Sequence, residues 1–325
     1  GGRWCDCVTR GVLVVAEEED DEEEEEDRKL ARHFRGVLNL LIRDKTESPN
    51  ENLNFYTGGF QAKYGDKMSS VLDIQYKKPV NFSGSAYFSF LEQGLQLGGN
   101  INKGNTSYLI GIRTKNNQSL LKSQPTVGSY LPSSRDLQGL ITHKLSSKIQ
   151  LELLGIFSGT QFNFIPESVK KTSSVFSPLF TSNIGLDVYF DGKENDSYRS
   201  GLIGATIIHT INNNLKLKWL LSRIKNVEKE NYDITGVYQF GERDFDNNSS
   251  TYGEIVNPLG AGMNQQYARN TLNIEIWNWG HRGFFEKGNH NFQWGNNIEQ
   301  VKINDVVKQF EYQDSAGYSL PYTGN

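Results

Sequence analysis

Few side chains in this sequence have the spacing of catalytic or metal-binding residues. The five histidines, His33, His143, His209, His281 and His290, lie far apart and form no H-E-x-x-H or other metal-pair pattern. No G-x-S-x-G turn, P-loop or dinucleotide fingerprint occurs either. The sequence therefore indicates a protein that is not an enzyme and uses no metal or cofactor.

One polar segment has the alternating acids of a calcium-binding loop. Asp244, Asp246 and Asn248 stand at alternate positions, as the first three ligands of such a loop do. However, Ser249 stands where an EF-hand has its glycine, and Ile255 stands where the closing glutamate belongs. The segment is therefore interpreted as a solvated turn.

The N-terminal region differs from the rest of the chain. Residues 17–27 form an unbroken run of eleven acids, so 27 of the 38 acidic residues remain against 34 basic ones elsewhere. Such a run repels itself, which predicts no stable structure for residues 1–27. Cys5 and Cys7 have no further ligand nearby and are interpreted as thiols without a metal. Residues 28–43 have the apolar spacing of a short amphipathic helix.

From Asn52 onward the apolar residues recur with period 2, which predicts an all-β fold. The alternating segments include Phe82–Phe90, Leu95–Ile101, Tyr108–Ile112, Leu137–Leu145, Ile203–Ile211, Leu215–Leu221, Leu272–Ile276 and Phe292–Ile298. At about 8–12 residues they exceed the usual soluble strand and fit a tilted strand that crosses a bilayer. Periodicity alone also fits a soluble sandwich, whereas no stretch is long and apolar enough for a transmembrane helix.

The connections favour the membrane barrel over the sandwich. Tight turns are expected at 103–105, 145–148 and 211–214, and long polar loops at 159–179, 225–268 and 302–325. Short turns on one side and long loops on the other are typical of outer-membrane barrels. Trp277, Trp279, Phe284, Phe285 and Trp294 are further candidates for an interfacial girdle, with sandwich-core packing and carbohydrate stacking as the alternatives.

The most specific motif is FYTGGFQAKYGDKMSSVLDIQYKKP at residues 55–79. Its glycines allow a sharp turn inside a packed interior, and Pro79 ends the alternating segment because proline cannot continue a ladder. The motif resembles the end of the plug domain in TonB-dependent receptors, especially those of Bacteroidetes-like bacteria. The residues that carry this junction are Tyr56, Gly58, Gly59, Phe60, Tyr64, Gly65, Ser69 and Ser70.

The resemblance covers about 47–325 and implies three regions. Residues 1–46 do not match the family, 47–79 end the plug, and 80–325 form the N-terminal part of an antiparallel transmembrane β-barrel. The later segments at 161–168 and 187–198 are similar to the same family. The resemblance also implies a longer protein, because a complete plug precedes this motif in the family.

The chain after Pro79 is expected to supply roughly 11–13 strands, whereas a plugged transporter has about 22. The predicted fold is therefore a partial, open barrel, which is not expected to insert alone as a stable monomer.

The function that the resemblance implies is TonB-dependent import of a siderophore, glycan, peptide or vitamin across the outer membrane. The implied partners are the TonB energy-transducing complex, outer-membrane lipid and an unidentified substrate, and no nucleic acid is expected. A secreted β-sandwich binding protein or adhesin is the alternative. A β-rich hydrolase is a third interpretation, and it requires a clustered pair of acids that the sequence alone does not identify.

Overall fold

The computed structural model describes residues 12–13, 50–56, 64, 71–116, 128–177, 180–315 and 318–319. These residues are almost entirely antiparallel β-strand, so the all-β prediction is confirmed. A three-stranded sheet contains β1 (Val12–Leu13), β3 (Val71–Tyr76) and β2 (Asn50–Tyr56), in that order. No helix in the described part of the chain is long and apolar enough to cross a membrane.

The second sheet has thirteen strands. They are β4 (Ser83–Phe88), β5 (Glu92–Ile101), β6 (Thr106–Asn116), β7 (Ser129–Tyr130), β8 (Ser133–Lys144), β9 (Ile149–Ile165), β10 (Val169–Ser177), β11 (Phe180–Thr210), β12 (Leu215–Arg243), β13 (Ile255–Lys287), β14 (His290–Val306), β15 (Gln309–Ser315) and β16 (Tyr318–Ser319). The main path runs from β4 through β5, β6, β8, β9, β11, β12, β13 and β15 to β16. Among the described residues these two end strands are not paired with each other, so the sheet is open.

The tight turns lie side by side at one end of this sheet. Backbone amides link neighbouring turns, from Lys144 to the Asn105 carbonyl, Thr210 to the Lys148 carbonyl and Glu286 to the Asn214 carbonyl, each 2.8 Å. A 3₁₀ turn at Asn102–Gly104 makes the first reversal, with Gly104 at φ +94°. The predicted turns at 103–105, 145–148 and 211–214 are therefore confirmed.

The predicted long loops are wrong, because most of those residues continue the strands. Strands β11, β12 and β13 contain 31, 29 and 33 residues. Pairing of β11 with β12 runs without a break from the pair Ile184–Glu242 to the pair Thr210–Lys216. Residues 225–243 thus extend β12, and the excursion that remains at this hairpin is 244–254. The β9 and β14 strands likewise run on to Ile165 and Val306.

The two faces of the large sheet differ in the burial of their side chains. We call the face that contains Leu109, Gln138, Leu140, Ser222 and Asn278 the inner face, since those side chains are buried. The outer face carries exposed apolar side chains at the alternate positions. These outer residues include Leu95, Leu97, Ile110, Ile112, Leu137, Ile141, Leu153, Phe157, Ile203, Ile207, Leu221, Trp277, Trp279 and Ile298, each at least 37% exposed. The predicted alternation in β5, β6, β8, β11 and β12 is confirmed.

Glycines let aromatic rings lie across the neighbouring strand, as two cross-strand pairs illustrate. A Cβ built on Gly283 meets the Trp294 ring at 2.0 Å, and one built on Gly99 meets the Tyr108 hydroxyl at 2.6 Å. Both pairs face each other in the register, Gly283 with Trp294 and Gly99 with Tyr108. Any larger residue would displace the ring, so these glycines fix the aromatic positions.

Candidate functional site

The hairpin of β2 and β3 holds the described part of the 55–79 motif. Tyr64 is 6% exposed and packs on Val71 and Tyr56, with the two tyrosine rings 5.5 Å apart. The Tyr64 hydroxyl donates to Asp73 Oδ2 at 2.8 Å. Burial, followed by the bonded Asp73 carboxylate, raises the pKa of Tyr64 and keeps the phenol a donor. The junction residues Gly58, Gly59, Phe60, Gly65, Ser69 and Ser70 lie outside the described residues.

The end of this hairpin is attached to the inner face of the large sheet. Strand β3 stops at Tyr76, as Pro79 predicts, and Tyr76 is buried. The Tyr76 hydroxyl donates to Gln138 Oε1 on β8 at 3.1 Å. Lys78 Nζ lies 2.6 Å from Glu152 Oε1 on β9. A segment that precedes the large sheet therefore contacts the side of it that carries polar groups.

A buried ionic cluster lies on the same inner face, near the ends of β5, β6 and β8 that are farthest from the tight turns. Arg113 contacts Asp136 at 3.1 Å and Glu92 at 3.5 Å, and the three side chains are 6–11% exposed. The Tyr87 hydroxyl donates to Glu92 Oε1 at 2.7 Å. Removing one member of such a cluster leaves an uncompensated buried charge, so the cluster fixes the arrangement of these strands.

A second group of carboxylates lies on the inner faces of β11 and β12. Asp196 is 6% exposed and faces Glu230 across the strands, and Glu194 and Glu228 occupy inner positions beside them. The backbone amide of Asn231 donates to Asp196 Oδ1 at 3.2 Å. Burial first, then the neighbouring Glu194, raises the pKa of Asp196 to about 7. This grouping was not predicted, although the spacing of Glu194 and Asp196, and of Glu228 and Glu230, follows the strand period.

The calcium-like segment is a self-contained turn, as predicted. Asp244 Oδ1 accepts from the Asp246 amide at 2.8 Å, and Asp244 Oδ2 accepts from the Thr251 hydroxyl at 2.7 Å. Hydrogen bonds, the first from Ser249, lower the pKa of the half-buried Asp244. No group of three or more His, Cys, Asp or Glu residues in the described chain has metal-binding geometry.

A buried ion pair anchors this turn to the sheet. The Arg243 guanidinium pairs with Asp187 on β11, and both side chains are at most 4% exposed. Arg243 Nη1 also donates to the Gly253 carbonyl at 2.5 Å. Lys170 on β10 lies 3.9 Å from Asp187 and 3.5 Å from Glu254. Strands β10, β11 and β12 and the turn are thus joined by one cluster of four charged residues.

Four of the five residues that were predicted to form an aromatic girdle lie on the outer face of the sheet. Trp277, Trp279 and Trp294 are 41–46% exposed on the outer face, and Phe285 lies on that face at 6.2 Å from Phe292. Phe284 points to the inner face, because adjacent residues in a strand face opposite sides. Trp277 donates its indole N–H to Glu275 at 3.1 Å, at the boundary between apolar and polar outer residues.

No known family model matches this chain, and no curated protein matches it significantly.

Proposed function

We propose that this chain forms part of the wall of a plugged β-barrel that imports a nutrient across the outer membrane of a Gram-negative bacterium. Residues 47–79 would be the end of the plug, and the large sheet would contribute strands to the barrel. Energy from TonB would drive transport, and this coupling rests on the resemblance of residues 55–79 to TonB-dependent receptors. The substrate class stays open between siderophore, glycan, peptide and vitamin.

The proposal is supported mainly by the apolar band on the outer face. On β9 the band runs through Ile149, Leu151, Leu153, Gly155 and Phe157. Eight residue steps at about 3.3 Å, tilted by about 40°, give a height of about 20 Å. This approaches the roughly 25 Å apolar band of outer-membrane barrels. On β11 the apolar band ends near Gly201. Asp196 and the carboxylates beside it would therefore lie outside the membrane.

The inner face supports the same proposal, because it carries groups that lipid could not accept. The Glu92–Arg113–Asp136 cluster and the Lys78–Glu152 pair lie there. An aqueous or plugged interior tolerates such groups, whereas a hydrocarbon environment does not. The contacts of Tyr76 and Lys78 with this face are those expected of a plug inside its barrel.

The β-sandwich alternative requires a second sheet over the apolar face. Among the described residues, the smaller sheet is the one other sheet, and the chain at its end contacts the inner face through Tyr76 and Lys78. The side chains of Ile203 and Ile298 are 58% and 62% exposed. A contiguous exposed apolar surface of this kind indicates contact with a membrane or another protein.

Membrane fractionation of the protein tests the proposal. An integral barrel should sediment with outer membranes, resist extraction by high salt, and migrate faster on gels when it is not heated. A matched pair of variants provides the control: Leu221→Arg, at the middle of the band on the outer face, should weaken membrane insertion, whereas Lys216→Arg on the inner face should not. Release by high salt, together with solubility without detergent, would instead support the sandwich or adhesin.

A further inference from the structure

The outer face changes from apolar to basic where the band ends. On β8, Arg135 is the next outer position after Leu137, and on β12, Arg223 follows Leu221 in the same way. On β11, Arg199 follows Ile203 and Gly201. All three arginines are exposed. Three strands of the sheet thus carry an arginine at the outer boundary of the band.

Two of these arginines flank an open position. Arg135 pairs with Gly159 in the register of β8 with β9, and Gly159 pairs with Arg199 in that of β9 with β11. Two strand spacings separate the arginine Cα atoms by about 10 Å. A Cβ built on Gly159 would meet no atom within 4 Å. The two guanidinium groups therefore border a gap that glycine leaves empty, and both can reach across it.

Charge in this part of the sheet is divided between the faces. Beyond Arg223, the outer positions of β12 include Lys225 and Lys229, whereas the inner positions include Glu228 and Glu230. Because side chains alternate between faces, this separation gives the outer surface a positive potential just past the apolar band. On the outer face, the carboxylate nearest to these arginines is that of Glu275, which lies 2.7 Å from Arg223. Arg135 and Arg199 therefore remain as the pair of arginines beside the gap at Gly159.

We propose that Arg135 and Arg199 bind the phosphate of an anionic lipid in the outer leaflet, with the phosphate over Gly159 and the acyl chains along Leu137 and Phe157. The proposal rests on the membrane orientation given above. Guanidinium groups bind phosphate oxygens in pairs of parallel hydrogen bonds, and they are less strongly hydrated than ammonium groups. The apolar side chains below the gap are 42% and 45% exposed and can contact hydrocarbon.

Native mass spectrometry of the detergent-solubilised full-length protein tests this site, with phosphatidylglycerol and zwitterionic phosphatidylcholine as the added lipids. The wild type should retain phosphatidylglycerol preferentially. The double variant Arg135→Gln/Arg199→Gln should lose about 10- to 30-fold in its apparent affinity, since each basic residue near a lipid surface contributes about 1 kcal/mol. Arg135→Lys/Arg199→Lys keeps the charge without the paired hydrogen bonds and should fall between the two.

The matched control is Lys171→Gln/Lys193→Gln, which removes two exposed basic residues from β10 and β11 farther from the band. It should retain phosphatidylglycerol as the wild type does. Equal lipid retention by the Arg135/Arg199 double variant and the wild type would overturn the proposal, as would displacement of the lipid by millimolar inorganic phosphate alone. A protein that fractionates with membranes but shows no lipid preference refutes this inference only. A protein that does not fractionate with membranes refutes the proposed function.

Discussion

Replacing Asp196 by asparagine should remove a pH-dependent destabilisation of the β11–β12 hairpin. The Asp196 carboxyl is 6% exposed beside Glu194 and Glu230, and these surroundings raise its pKa to about 7. In the unfolded chain an aspartate has a pKa of about 3.9. The folded protein therefore binds the proton more tightly, and the free energy of unfolding falls as pH rises from about 4 to about 7.

The difference between the two pKa values corresponds to about 4 kcal/mol. Because the neighbouring Glu194 takes part in the same titration, we expect Asp196→Asn to recover about 2–4 kcal/mol at pH 8. At pH 5 the gain should fall to about 1 kcal/mol, because the wild type has by then lost only about a third of the stability that it loses by pH 8. The asparagine carbonyl can still accept the Asn231 amide, so the change removes mainly the charge.

Denaturant unfolding of the full-length protein in detergent, followed by tryptophan fluorescence between pH 5 and 8, measures this effect. The control is Asp233→Asn, an exposed aspartate on β12 whose side chain is 50% accessible and 3.6 Å from Arg269. It should change the pH dependence by less than about 1 kcal/mol. If Asp196→Asn gives the same stability difference from wild type at both pH values, the pKa of this carboxylate is not raised by its surroundings.

Three further substitutions test other parts of the structure by the same unfolding measurement. Leu221→Arg should cost about 2–4 kcal/mol, because Leu221 aligns through Ala205 with Leu153 at the middle of the apolar band, whereas Lys216→Arg should be tolerated; equal costs would count against a membrane barrel. Arg113→Met should cost about 3–5 kcal/mol, because it leaves two buried carboxylates without their cation; a cost below about 1 kcal/mol would show the cluster to be solvated. Tyr64→Phe should cost about 1–3 kcal/mol through the lost hydrogen bond to buried Asp73, and no measurable loss would contradict the packing of the hairpin.

Alternation along single strands was predictable because strand side chains have a fixed period of two residues. The exposed Leu137 and Ile141 and the buried Gln138 and Thr142 follow that rule. The part of β12 from residue 225 onward was predicted as a loop, because charged and polar residues occupy both faces of the strand there. Its strand conformation depends on pairing with β11 and β13, which periodicity does not report.

The inner acidic group was missed for a related reason. Asp196 and Glu230 are 34 positions apart, and their proximity depends on the register of the hairpin. The turn at 211–214 determines that register, so counting outward from the turn would have paired the two residues. The contact of Tyr76 with Gln138 has no comparable signal, since it joins β3 to β8, two strands that no short turn connects.

Contact between the outer face and lipid can be measured directly with spin labels along β12. Single cysteines at positions 217 to 223 can be introduced one at a time into the full-length protein, with Cys5 and Cys7 replaced by serine. We predict that labels at 217, 219 and 221 in reconstituted bilayers collide often with dissolved oxygen and rarely with a polar nickel chelate. Labels at 218, 220 and 222 should show low oxygen collision rates. Equal oxygen accessibility at Leu221 and Ser222, or high nickel accessibility at Leu221, would contradict a lipid-facing outer surface.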